Sequence, residues 1–270
     1  MARYLIFGRS GSGKSWFFGW VLEGALPEFD YAVHFDIEDE EKGLSDAGRT
    51  MLKTFYVDQA FADEQVEYQG RIMSKVQAVI LHNKKVRMVP DGLTPTEQRE
   101  VFAEVCGLAM ELAKTGSNFH ISADEAHQVL PDVEERNMDD RVVRALTGGR
   151  KKGVEWAFST QRPATLYEDA FTQANWGVYF SLTKDNDIAK VNNSVGINAY
   201  QTLPKLQPRD YILENLDSGK VKKHTTNELD RKFEHYASDD GVADERLQQA
   251  GEGAQELRDI SEEEIDPSEI

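Results

Sequence analysis

Cysteine is nearly absent: the single thiol in 270 residues, Cys106, excludes an intramolecular disulfide. Its setting, VFAEVCGLAMEL, is an apolar helical stretch without basic neighbours, so Cys106 reads as a small core residue and not as a nucleophile. Long hydrophobic runs are missing too. No segment approaches the ~18 apolar residues of a membrane span, and the first residues lack the basic-then-apolar pattern of a signal peptide. A soluble, cytoplasmic protein without stable membrane insertion is expected. There is no internal repeat, which excludes solenoids and propellers. Positive charge is in deficit, 31 Lys and Arg against 48 Asp and Glu, for a net −17, so any grip on a polyanion must come from local clusters. The deficit is uneven: residues 236–270 hold 12 acidic and 2 basic residues, a net of −10, leaving −7 for residues 1–235. Low apolar content and high charge predict a disordered tail over 236–270, either merely solvated or a docking peptide or nucleic-acid mimic. Residues 1–235 are expected to form one domain.

What is present begins at residue 8. GRSGSGKS fits G-x-x-x-x-G-K-[ST], in which glycines let backbone N–H groups wrap phosphates, the lysine reaches the β/γ oxygens and the hydroxyl ligates Mg²⁺. A buried strand must feed such a loop and a helix N-terminus must leave it. Tyr4-Leu5-Ile6-Phe7 supplies the first, and Ser15 to Leu22 reads as an apolar-faced helix. ATP and Mg²⁺ are therefore the expected ligands, with Gly8, Arg9, Ser10, Gly11, Ser12, Gly13, Lys14, Ser15 and Trp16 forming the phosphate grip.

Further along, Tyr31 to Asp36 reads as a strand, Ile37 to Lys42 as an acidic loop, and Gln65 to His82 as an amphipathic helix. VRMV is another short strand. Thr94-Pro95-Thr96-Glu97 is a capping box with proline at the first helical position, opening a helix to about Lys114. Strands alternating with helices predict a mainly parallel sheet in an α/β fold.

A second chemical signal ends the strand NFHISADEAH. In open α/β sheets the carboxyl ends of the strands face the ligand crevice, so Asp124 is placed to hold Mg²⁺ opposite Ser15, and Glu125 to polarise the attacking water. His127 could relay between nucleotide and partner or cap the turn. Val154 to Thr160 is a plausible strand, with Gln161 just past its carboxyl end, where an amide can meet the γ-phosphate or its water. Arg150-Lys151-Lys152 precedes that strand, about 23 Å away at ~3.3 Å per residue, too far to serve the chain's own phosphates. It is either a solvated turn or a group that reaches a neighbouring subunit.

These segments, GRSGSGKS, ADEAHQVLP, GGRKKGVEWAFSTQRPATL, FTQANWGVYFSLTKDNDIAKV and LPKLQPRDYIL, together resemble the FtsK/HerA superfamily of DNA-pumping ATPases, in particular HerA-like viral genome-packaging members, over roughly residues 3–225. The resemblance implies a RecA-like, additional-strand catalytic-glutamate core with a C-terminal β-hairpin, assembled as a ring, usually a hexamer, around double-stranded DNA. It also implies that Arg150 acts as an arginine finger across the subunit boundary, with Arg141 and Arg144 as neighbours of the same type. The β-barrel of cellular HerA proteins and the membrane spans or DNA-reading domain of FtsK are not in this sequence. That pattern resembles packaging ATPases of internal-membrane viruses, which implies a capsid or portal-vertex protein as partner and virion association beside the host cytoplasm. A cellular HerA-like DNA-processing motor and a nucleotide-gated assembly ATPase of the zonula-occludens-toxin-like kind are the alternatives. Arg71, Lys75, Lys84, Lys85, Lys220, Lys222 and Lys223 are candidates for lining a DNA pore.

Overall fold

Short strands buried on both faces need helices above and below them. The computed structural model, which describes residues 2–45, 51–132, 137–194 and 197–233, has that arrangement. β1 (Tyr4–Phe7) leads into α1 (Lys14–Ala25), and β2 (Tyr31–Phe35) follows. Next come β3 (Lys53–Val57), α2 (Gln59–Asp63), β4 (Gln65–Tyr68), β5 (Arg71–Ser74) and α3 (Lys75–Asn83). β6 (Lys85–Pro90), α4 (Pro95–Lys114), β7 (Phe119–Ala123), α5 (Asp140–Gly148) and β8 (Val154–Thr160) complete the centre. The last part holds α6 (Glu168–Gln173), β9 (Trp176–Tyr179), α7 (Asp185–Ser194), α8 (Ala199–Thr202) and the hairpin β10 (Asp210–Asn215) and β11 (Lys220–Thr225).

Nine strands make one sheet in the order β11-β10-β9-β1-β8-β7-β2-β6-β3. Every pairing is parallel except β9–β10 and β10–β11. The mainly parallel α/β fold with a C-terminal hairpin is thus as expected, and β8 is the additional strand between β1 and β7. Side chains alternate across the sheet. Leu5 and Phe7 join the larger core with Phe35, Phe102, Ile121, Trp156 and Phe158, while Ile6 joins Phe17, Phe18, Leu22, Ala157 and Val178 under α1. Cys106 is buried in α4, and burial pushes its thiol pKa up, which suits a core residue. Among the described residues no helix is long and apolar enough to cross a membrane. The expected tail, residues 236–270, lies outside the described residues.

The helix expected over residues 65–82 is corrected. Its first half is the β4–β5 hairpin, turned by Gln69 and Gly70, both at positive φ (51° and 71°), the backbone of a two-residue turn whose twist suits paired strands. Only the second half is helical, started by Ser74, whose hydroxyl accepts from the N–H of Gln77. The Thr94 capping box forms as expected, with reciprocal bonds between Thr94 and Glu97. Thr94→Ala should cost about 1 kcal/mol and lower Tm by about 2–4 °C. An unchanged thermal midpoint would mean that α4 does not depend on this cap.

Candidate functional site

The parallel strands deliver four loops to one edge of the sheet, after β1, β2, β7 and β8. Between β1 and α1 the chain needs conformations only glycine gives cheaply. Gly13, the N-cap of α1, has φ 101°, and a Cβ there would sit 3.2 Å from Arg209 Cα. At Gly8 a Cβ would lie 2.6 Å from the Phe180 and Ser12 side chains. The loop opens on a cavity of about 520 Å³, lined by Arg9, Ser10, Gly11, Gly13, Lys14 and Ser15 on one side and by Asp124, Glu125 and Gln161 on the other.

Lys14 holds this site together. Its ammonium donates to Asp124 Oδ1 at 2.9 Å and to Ser159 Oγ at 3.1 Å, and lies 3.3 Å from Glu125 Oε1. Burial works against the Lys14 charge, but Asp124 and Glu125 outweigh it and hold its pKa above the ordinary value. Ser159 also donates to Asp124 Oδ1. Glu125 sits at φ 42°, ψ 43°, a left-handed conformation that turns its carboxylate back to the end of β8. There Glu125 Oε2 accepts from the Gln161 N–H at 3.3 Å and lies 3.2 Å from His127 Nδ1, itself 2.9 Å from Thr160 Oγ1. Burial would raise the Glu125 pKa, yet His127, Lys14 and the Gln161 N–H together lower it. His127 is therefore joined to the Glu125 carboxylate.

Four further residues line the cavity that the sequence did not single out: Glu38, Glu40, Pro208 and Arg209. Glu38 and Glu40 follow β2, so the rule that selects Asp124 and Gln161, position just past the carboxyl end of a strand, also selects them. Burial, then Glu125 and Asp124, raise the Glu38 pKa. The loop is anchored by Asp36, which accepts from the N–H groups of Glu40 (3.0 Å) and Glu41 (2.8 Å) and pairs with the buried Arg87 of β6 at 2.7 Å. Pro208 and Arg209 arrive only through the tertiary fold; the Arg209 N–H donates to Ser12 O at 2.8 Å.

Trp16 lies under the Arg231 guanidinium, 5.3 Å from ring centroid to Cζ. The Arg231 side chain, fully buried, also donates to Glu23 (2.9 Å) and Glu41 (3.0 Å), so the last described residues pack along α1. At the opposite edge, Arg150, Lys151 and Lys152 are exposed. Arg141 is paired with Asp139 and Arg144 with Asp140, whereas the Arg150 side chain has no hydrogen bond or ion pair among the described residues. The pore candidates are not brought together: Lys220, Lys222 and Lys223 lie on the edge strand β11, while Lys84 and Lys85 are at β6, seven strands away, and Arg71 and Lys75 belong to β5 and α3.

The residues present fit a Mg²⁺–nucleotide. The buried Ser12 Oγ has no hydrogen-bond partner, the α1 N-terminus faces the cavity, and a hydroxyl and a carboxylate, Ser15 and Asp124, offer the hard oxygens that Mg²⁺ takes.

No protein-family model matches the chain, and no curated protein matches it in sequence. Solved structures do. The chain is similar to the genome packaging NTPase B204 from Sulfolobus turreted icosahedral virus 2 in complex with AMPPCP, with TM-score 0.58 and 17% identity over 83% of this chain and 97% of the other. The ATP-gammaS complex of that protein gives TM-score 0.57 at 16% identity, covering 83% and 96%. B204, the DNA-packaging ATPase from Sulfolobus Turreted Icosahedral Virus, gives 0.54 at 20% identity, covering 83% and 97%. With β8 between the glycine-loop strand and the carboxylate strand, the protein is built on the P-loop NTPase fold.

Proposed function

We propose that this protein is a ring-forming, Mg²⁺-dependent ATPase that translocates double-stranded DNA and packages a viral genome. The observation that carries the reading is the Lys14 ammonium bridging Asp124 and Glu125 inside the glycine-loop cavity. In this reading residues 1–235 are the motor and 236–270 an appended tail. Backbone N–H groups of residues 8–15 and Lys14 hold the phosphates. Ser15 and Asp124 would hold Mg²⁺, which would supply neutralising charge for the phosphate oxygens. Glu125 orients a water and takes its proton as the water oxygen bonds to the γ-phosphorus and the bond to the bridging oxygen breaks, yielding ADP and phosphate. Lys14 lowers the Glu125 pKa while it touches that carboxylate, so its transfer to phosphate makes Glu125 a stronger base once nucleotide is in place. Gln161, tied to Glu125 through its N–H, senses the γ-phosphate.

The free Arg150, at the far end of β8 from its own cavity, supports a role at a neighbour's site, and the similarity to packaging NTPases supports DNA as substrate. Lys220 and Lys222 project from the exposed edge strand β11, where a polyanion could be gripped despite the net negative charge. Mixing Arg150→Ala and Glu125→Gln proteins tests the shared site. Each alone should hydrolyse ATP slowly, and the mixture should regain activity at interfaces pairing an intact Glu125 with an intact Arg150, since such fingers contribute ~10³–10⁵ in rate. Long double-stranded DNA should stimulate the parent, with the stimulation fading as salt rises. A monomer with full ATPase activity, indifferent to DNA, would shift the preference to a nucleotide-gated assembly factor.

A further inference from the structure

A second cavity, of about 570 Å³, opens at the amino ends of β1, β7 and β8, the sheet edge opposite the glycine loop. Its floor is two neighbouring side chains in register, His120 of β7 and Glu155 of β8, only 1% and 4% exposed. Both are short of partners. Glu155 Oε2 accepts from the Ala2 N–H at 2.9 Å, but Oε1 and both ring nitrogens of His120 are buried without a hydrogen bond. Arg3 feels the Glu155 charge but spends its hydrogen bonds elsewhere, on Leu146 O (3.2 Å) and Asn175 Oδ1 (3.4 Å). Buried polar groups of this kind cost free energy unless something satisfies them.

The walls define what could do so. Tyr4, Trp20 and Phe29 line the cavity; Trp20 is 38% exposed, and the Phe29 ring is 5.0 Å from that of His120. The rim carries Glu28 and Asp230 against one ammonium, Lys232, while the third carboxylate, Glu23, is already paired with Arg231. The last turn of α1, Gly24 and Ala25, also faces it, presenting the negative end of the helix dipole with no basic residue to offset it. Burial and the nearby His34 push the His120 pKa down to about 3, so its ring is neutral and brings one donor and one acceptor. An acidic rim, a helix C-terminus and an unpaired carboxylate oxygen exclude phosphates and nucleic acid and favour a cation; aromatic walls favour a flat one.

We propose that this cavity binds a planar organic cation with an apolar body, an arginine side chain or an aromatic amidinium, held by Glu155 and His120 and stacked on the aromatic wall. The site is separate from the glycine-loop cavity, so its fate does not depend on that of the ATPase reading.

Isothermal titration of the full chain with benzamidine, with its uncharged analogue benzyl alcohol and with N-acetylarginine amide tests the idea. Saturable benzamidine binding, at least tenfold tighter than benzyl alcohol and at least tenfold weaker in Glu155→Gln, is the expected result. Arginine amide binding as tightly as benzamidine would assign the site to a protein partner's side chain, and weaker binding would assign it to a small molecule; either supports the site. Gly24→Leu gives an independent variant: a Cβ at Gly24 meets nothing within 4 Å, the helix tolerates the change, and the added side chain should abolish binding. Equal affinity for the charged and neutral probes, or no saturable binding of benzamidine, would overturn the proposal.

Discussion

Glu125→Gln protein is expected to bind ATP about as tightly as the parent and to hydrolyse it ~10²–10⁴-fold more slowly, the usual worth of a positioned base. The amide keeps the size of the carboxylate and can still accept from the Gln161 N–H, so the end of β8 should stay in place. What is lost is the group that takes the water's proton. Lys14→Ala should behave differently. It removes a charge-assisted contact to phosphate, so binding itself should fail. It also leaves Asp124 and Glu125, buried side by side, without the ammonium between them. Measuring nucleotide affinity and saturated turnover for both proteins separates the roles. Parental turnover by Glu125→Gln at saturating ATP would remove Glu125 from the chemistry.

Arg87→Met should be the most destabilising single change away from the glycine loop. Arg87 is 1% exposed and pairs with both Asp36 and Asp39, so truncation leaves the buried Asp36 carboxylate without its guanidinium and Asp39 with Lys42 at 3.5 Å, a loss of about 3–5 kcal/mol. In a domain of this size that is a Tm lower by roughly 6–20 °C. Burial alone would raise the Asp36 pKa, but Arg87 outweighs it and holds the carboxyl below its ordinary value. A depressed folded-state pKa contributes stability above the unfolded-state value and loses it as pH falls through the folded one. The gap between parent and variant should therefore be full at neutral pH and shrink in acid. Asp36 also orders the backbone that carries Glu38 and Glu40 into the cavity, so turnover should drop with stability. Parental thermal midpoints at pH 7 would show that the pair contributes nothing net.

The Gln65–His82 segment shows where pattern reading fails. Its apolar residues satisfy a helical period, but Gln69-Gly70 can turn a hairpin, and only the strand pairing of Val66 with Met73 selects the second outcome. The same holds for β3, which pairs with β6 across a span that includes α2, α3 and a hairpin. Local sequence by itself determined the glycine loop, the capping box of α4, the strand ends bearing Asp124, Glu125 and Gln161, and the parallel α/β class, because each depends on spacing within a few residues. Tertiary structure alone decided that Lys14 reaches two carboxylates 110 and 111 positions away, that Arg209 closes on Ser12, that Arg231 lies over Trp16, and that His120 and Glu155 share a cavity floor. The physical reason is register: which side chains meet across a sheet depends on how strands distant in sequence pair and which face each presents, and shifting a strand by one residue would exchange the two faces.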